Sequence, residues 1–369
     1  MTVSPLYRRK PTLGVSACLL GSEVRYNGGH KASRLCLDQL SEYFDFVPYC
    51  PEVAIGLGTP REPIRLVGDP GAPRAVGTVH PDQDHTDALA AYGEQVAAEL
   101  PAISGYIVMQ QSPSCGLERV KVYQDNGHPS EPKGRGIFTR VLTERHPNLP
   151  IEEEGRLNDP VLRENFLTRV FTYSQWQTLC ESGITRGKLI EFHARHKYLL
   201  MATDPLRYKR LGRLLGDLSG QDLDELANHY IAELMTALRR CATRGTHSNV
   251  LQHLSGYLKG ALSAEEKQEM QQLISQYRKG IIPLVVPLTL LKHHFRQHPD
   301  RYIAQQVYLQ PHPENLSLRN ALCAGRFPTP QAPAHRRTWS PTVTCRFATW
   351  PASLASTRSP CAPGSAATA

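Results

Sequence analysis

The chain has 369 residues and nine cysteines, yet no Cys-x-x-Cys pair occurs in it. That absence removes the usual paired-ligand pattern of a structural zinc site. The cysteine number is odd and the spacing irregular in a long chain, which argues against the disulfide framework of a small secreted domain. No run of about 18 apolar residues is present, so no transmembrane helix is expected. Arg8, Arg9 and Lys10 follow Met1, but no apolar stretch of signal-peptide length comes after them. A Gly-rich phosphate loop, the device that cradles ATP, is missing too. These absences leave the expectation of a cytoplasmic protein whose cysteines are reduced or hold metal.

What the chain has in excess is positive charge, 42 Lys and Arg against 34 Asp and Glu, a net +8. The excess is unevenly placed. Residues 186–320 carry 19 Lys and Arg against 12 Asp and Glu, a difference of +7. Such a surplus favours a polyanionic partner. The last 47 residues contain no Asp, Glu or Lys and are rich in Pro, Ala, Ser and Thr. That composition predicts a disordered tail.

Three cysteines stand where apolar runs end. Thr12 to Ala17 reads as a strand ending at Cys18, and Phe44 to Tyr49 as a second ending at Cys50. A third run, Gly105 to Met109, leads into Ser112-Pro113-Ser114-Cys115-Gly116. Helical spacing over residues 33–43 and from Asp84 to Leu100 separates the strands, and Gly and Pro mark a loop from Ile55 to Pro63. In an open α/β sheet, ligands gather at the carboxyl ends of the strands. Alternation therefore brings three thiols 32 and 65 residues apart toward one rim. Three thiolates with a fourth protein ligand would close a zinc tetrahedron, while on a [4Fe–4S] cluster they leave one iron open to a substrate atom. Ordinary buried cysteines are the plain alternative, and packing is the preferred reading for Cys36, Cys180 and Cys241 on apparent helix faces.

Further along, Glu118 to Gln124 continues the alternation and Gly134 to Phe138 opens a helix up to Arg145. Glu152-Glu153-Glu154-Gly155-Arg156-Leu157 reads as an acidic turn before a helix from Asp159 to Phe171. From about Thr185 helical periodicity takes over, with a core-facing stripe between Asp222 and Arg240. Ser263-Ala264-Glu265-Glu266 is a capping box whose helix closes at Gly280, and Pro283 and Pro287 mark the next break. The predicted architecture is an α/β domain with an open, mostly parallel sheet over residues 10–168. An all-α domain over 186–322 and a disordered tail over 323–369 follow.

The motifs Ser16-Ala17-Cys18-Leu19-Leu20-Gly21, Cys50-Pro51-Glu52 with Gly56 and Pro60-Arg61, and Ser112-Pro113-Ser114-Cys115-Gly116 resemble the thiouracil desulfidase family. The resemblance covers roughly residues 10–168. Residues 186–322, with His193-Ala194-Arg195-His196-Lys197-Tyr198 and Leu316-Ser317-Leu318-Arg319-Asn320, are similar to the helical domain that often follows it. The pair resembles desulfidases that convert 4-thiouridine in tRNA to uridine. The resemblance implies a [4Fe–4S] cluster on Cys18, Cys50 and Cys115, with the substrate sulfur on the fourth iron and water attacking the carbon that carried it. Glu52 is the candidate for proton transfer, and Ser112 for orienting the substrate or shuttling a proton. Met109 stands where the family commonly has a lysine, which leaves substrate handling there open.

In the helical part Arg195, Lys197, Arg207, Lys209, Arg210 and Arg213 form a basic stretch with Tyr198 and Tyr208 between, the expected contact for thiolated tRNA. His193 and His196 share a face, where packing or phosphate contact is favoured over metal ligation. Two other functions compete: a desulfidase of free thiouracil bases, and a non-catalytic, metal-containing RNA-binding protein.

Overall fold

The structure is a computed structural model that describes residues 10–99, 103–124, 126–131, 133–216, 220, 222–316 and 318–320. The expected disordered tail, 323–369, lies outside the described residues. In chain order the strands are β1 (Thr12–Ser16), β2 (Asp45–Tyr49), β3 (Ile64–Val67), β4 (Arg74–Gly77), β5 (Ile103–Val108), β6 (Val122–Tyr123) and β7 (Ile151–Glu153). The helices of the first half are α1 (Pro51–Ala54), α2 (Thr86–Glu99), α3 (Ile137–Arg145) and α4 (Pro160–Glu181). Those of the second half are α5 (Arg186–Thr203), α6 (Pro205–Leu214), α7 (Leu223–Leu238), α8 (Arg244–Gly256), α9 (Ala264–Lys279), α10 (Val285–Gln297) and α11 (Arg301–Ala304).

The main sheet has the order β2-β1-β5-β7, and every pairing in it is parallel. Successive strands leave β1 in opposite directions, toward β2 on one side and β5 on the other. The gap between the loops after β1 and β5 is thus the switch point of the sheet, where α/β folds open a crevice. β5 is buried at all six positions, as a central parallel strand covered on both faces must be. A second sheet of order β4-β3-β6 stands beside it.

Several expectations change on contact with tertiary packing. The Gly- and Pro-rich loop is followed by the antiparallel pair β3 and β4, which the sequence reading did not foresee. Residues 33–43 yield a six-residue π-helix, Leu35–Leu40. The alternation after Glu118 gives β6, a two-residue strand of the second sheet. The acidic stretch begins as strand β7 and turns only at Glu154-Gly155, with Glu152, Glu153 and Glu154 all buried. Their charges are met locally. Arg156 Nε donates to Glu152 at 2.7 Å, and the amides of Leu117 and Glu118 each donate to Glu153 at 3.1 Å. Lys31 Nζ and the Gln110 amide each donate to Glu154 at 2.9 Å.

Helix α4 runs ten residues beyond its expected end at Phe171, and Trp176 in the added part is buried. It starts at Pro160, where the missing N–H would be unpaired anyway, behind an Asp159 side chain that accepts from the Val161 and Leu162 amides. Phe166, Leu167, Val170 and Phe171 pack with Leu13, Val15 and Ile107 under the sheet. Further along, Trp176 meets Phe192 at 5.5 Å and Tyr230 at 5.9 Å within the helical core. The closing segment returns to α4: Leu318 joins the sheet-side core, and Arg319 Nε donates to Glu164 at 2.8 Å. The capping box at Ser263 and the left-handed Gly280 bound α9 as expected. Pro287, by contrast, lies inside the first turn of α10, a position that tolerates the lost donor.

Candidate metal centre and active site

Parallel pairing places Cys18, Cys50 and Cys115 beyond the carboxyl ends of β1, β2 and β5. All three line one cavity of about 400 Å³, within the usual range of ligand pockets. Cys18 sits in the 3-10 turn Ala17–Leu20, and Cys50 is the N-cap of α1. Cys115 is fixed from α3: the Gly136 amide donates to Gly116 O at 2.8 Å and the Ile137 amide to Pro113 O at 3.0 Å. The Thr139 hydroxyl adds a bond to Cys115 O at 2.6 Å.

Burial pushes the free thiols upward, Cys18 to about 11 and Cys115 to about 12. Burial likewise raises Cys50. Left alone they are protonated and poor nucleophiles at neutral pH, and a bound cationic group would convert them to thiolates. Among the described residues no group of three or more His, Cys, Asp or Glu is arranged to hold a single metal ion. One ion would draw its ligands to about 2.3 Å of a common point. In a cluster each thiolate binds a different iron, so the sulfurs stand further apart. Three thiols lining one cavity supply the soft sulfur donors that such a cluster takes.

Glu52 enters from α1. Its Oε2 accepts from Arg61 Nε at 2.9 Å and Nη2 at 2.6 Å, and its Oε1 accepts from the Ser114 hydroxyl at 2.6 Å. Ser114 Oγ lies 3.0 Å from Ser112 Oγ, which in turn accepts the Cys115 amide at 3.1 Å. A hydroxyl chain thus runs from the loop carrying Cys115 to a carboxylate two residues after Cys50. The structure brings both expected candidates together and adds two residues that the sequence reading quoted but did not single out. Ser114, between Glu52 and Ser112, makes the direct contact, and Arg61 neutralises the carboxylate. The short interval between Cys50 and Arg61 carried no sign that its side chains fold back on each other.

The rest of the lining includes Arg25, Tyr26, Lys31, Met109 and Gln111. Gln111 holds a left-handed backbone, φ 58°, which is uncommon for a residue with a Cβ. Met109 donates its amide to Ser16 Oγ at 3.0 Å and packs its half-buried side chain against two of the three hydrophobic clusters of the first half. Although no cation occupies that position, Lys31 reaches the same cavity from the loop after Cys18.

The other predicted positions are dispersed. Cys36 is fully buried in the core, as the packing reading expects. Cys180 is exposed, and Cys241 follows the end of α7, so packing on a helix face does not describe either. His196 is 0 % exposed and its Nδ1 pairs with Phe192 O at 2.8 Å; His193 pairs with the Tyr230 hydroxyl at 3.3 Å. Both belong to the helical packing. In the basic stretch Arg207 is bound to Asp204 at 2.9 Å and lies 3.5 Å from Glu233, and Arg210 lies 3.8 Å from Glu233. Arg195 and Lys197 are half-buried, while Lys209 and Arg213 are exposed.

Fold and site together define an open α/β domain with a three-thiol crevice at its switch point, continued by a helical region. The chain belongs to the 2-thiouracil desulfurase family, whose model matches residues 13–154, and residues 197–313 match a family described as a protein of unknown function, DUF1722. The uncharacterized protein YbgA of Escherichia coli (strain K12) is 33 % identical over 159 residues, 43 % of this chain and 94 % of that protein. The uncharacterized protein YbbK of Bacillus subtilis (strain 168) is 33 % identical over 152 residues, 39 % of this chain and 97 % of that protein. A solved structure titled [4Fe–4S]-dependent thiouracil desulfidase TudS is 32 % identical, with a TM-score of 0.31, and covers 41 % of this chain and 95 % of its own.

Proposed function

We propose that this protein is a [4Fe–4S]-dependent thiouracil desulfidase acting on 4-thiouridine in tRNA. The observation that carries the reading is the cavity shared by Cys18, Cys50 and Cys115 with the Glu52–Ser114–Ser112 chain on its wall. The three cysteines would hold the cluster. When bound, it supplies an open iron, a soft Lewis acid suited to a thiocarbonyl sulfur.

The chain's own groups handle water and protons. Glu52, held by Arg61, takes a proton from the attacking water, and Ser114 and Ser112 carry protons between the carboxylate and the substrate side of the loop. Water oxygen bonds to the carbon that bore sulfur, the C=S bond breaks and C=O forms. Sulfur leaves as hydrogen sulfide with both hydrogens of the water, so no electrons are gained or lost. Glu52→Gln keeps an acceptor for Ser114 but removes the base, and is expected to slow turnover by about a hundredfold or more. The positive surplus of residues 186–320 supports a nucleic-acid substrate over a free base.

The test is the 4-thiouridine content of tRNA incubated with protein reconstituted anaerobically with iron and sulfide, beside a Cys115→Ala variant. Loss of thiouridine with gain of uridine, absent in the variant, is the expected result. Persistence of thiouridine with the cluster in place would overturn the tRNA assignment and put free thiouracil in its stead.

A further inference from the structure

Three elements remote in sequence bring a tyrosine patch to the surface of the helical region. Lys197 and Tyr198 lie on α5, Tyr257 follows the last residue of α8, and Tyr302 lies on α11. The rings of Tyr257 and Tyr302 stack with centroids 6.2 Å apart and planes 27° from parallel. Tyr198, 2 % exposed, anchors the group by donating its hydroxyl to that of Tyr257 at 3.3 Å. Lys197 Nζ stands 5.2 Å from the Tyr198 ring centroid and 5.8 Å from that of Tyr302.

Tyr257 itself is 45 % exposed. A lone exposed ring would need no explanation. Here the ring is held by a stack on one side and a hydroxyl bond at its tip, so it presents a fixed π face. The neighbouring ammonium is half-buried against two aromatic rings, and among the described residues it has no carboxylate partner. Exposed Lys259 and Arg301 stand two and one residues along the chain from Tyr257 and Tyr302. On α6, by contrast, Arg207 is already committed to Asp204. A rigid aromatic face beside an unneutralised cation complements one nucleotide, with the base stacking on the ring and the phosphate meeting the ammonium.

We propose that Tyr257, Tyr302 and Lys197 form a docking surface for an unpaired base of an RNA and its adjacent phosphate. The proposal rests on the reading above, in which RNA carries the thiolated base, but its test does not need the reaction. Full-length protein is titrated by fluorescence anisotropy with an unmodified tRNA transcript, a short oligouridylate and a blunt RNA duplex. Tyr257→Ala is expected to weaken binding of the first two by roughly five- to 150-fold, the range one stacked base contributes, and to leave the duplex unchanged. Tyr257→Phe keeps the ring and stays within about twofold of the unaltered protein. Lys197→Gln makes the dependence of log affinity on log salt shallower by about 0.7 for the single strand, as loss of one phosphate contact requires.

Wild-type affinity for oligouridylate in Tyr257→Ala overturns the proposal. So does an equal loss for duplex and single strand, or a surface that captures protein and no RNA. Turnover of free 4-thiouridine is followed in the same preparations. If the unaltered protein binds RNA through this patch yet removes no sulfur from any substrate, the desulfidase reading fails and the docking surface stands.

Discussion

Glu52 has both carboxylate oxygens engaged inside the cavity wall, one with Arg61 and the other with Ser114. The side chains of the ion pair are 14 % and 6 % exposed, so neither charge is well hydrated without the other. Arg61→Leu is therefore expected to destabilise the fold by about 3–5 kcal/mol in urea unfolding, because an uncompensated carboxylate remains. Adding Glu52→Gln to it should restore most of that loss; equal stability of single and double variants would contradict the account. A second residue-scale expectation concerns His196, whose burial holds its imidazole down to about 3. The unfolded chain takes up a proton near the usual value of about 6.5 while the folded one stays neutral. The His196 contribution is thus complete above about 6.5 and declines as pH falls toward 3, by up to about 1.4 kcal/mol per pH unit. Urea midpoints at several pH values between 5 and 7 should show a shallower slope for His196→Phe, and an unchanged slope would exclude the assignment.

At the scale of elements, the Cys115 loop depends on the start of α3. A Cβ built at Gly136 would stand 2.5 Å from Ser114 O and 2.8 Å from Gly116 N, both backbone atoms that cannot yield without moving Cys115. Gly136→Ala is expected to lower stability by about 1–3 kcal/mol and to reduce iron retention, while the helical core keeps its secondary structure by circular dichroism. Full iron retention would show that the loop has more freedom than this packing implies. The alternation that made the sheet legible came from runs such as Gly105 to Met109, where burial on both faces leaves a continuous apolar stretch. β7 was hidden because two of its three residues are buried glutamates, Glu152 answered by Arg156 and Glu153 by the backbone amides of Leu117 and Glu118. α4 was cut short because its buried block ends at Thr172 and Trp176 alone is buried beyond it, so the apolar signal fades before the helix does. The three thiols were found from strand ends and motif resemblance. Arg61 and Ser114 were quoted but given no role, since a contact between Glu52 and a loop 62 residues on leaves no local trace. The tyrosine patch is assembled from α5, α11 and the residue that follows α8, and has no local trace either.

For the whole molecule, the described residues join a sheet-end crevice to a basic helical region through one helix, α4, whose side chains belong to both cores. No helix among the described residues is long and apolar enough to cross a membrane. Under the proposed function chemistry and substrate holding fall to different parts of one chain, and the chemistry presupposes that Cys18, Cys50 and Cys115 act as a single ligand set. Iron and acid-labile sulfide, measured per chain after anaerobic reconstitution, test that directly in the unaltered protein, Cys18→Ala, Cys50→Ala, Cys115→Ala and, as control, the exposed Cys180→Ser. The account predicts about four iron and four sulfide for the unaltered protein and the control, with loss in each of the other three. A full complement in any of those three, or a single zinc ion in their place, would contradict it.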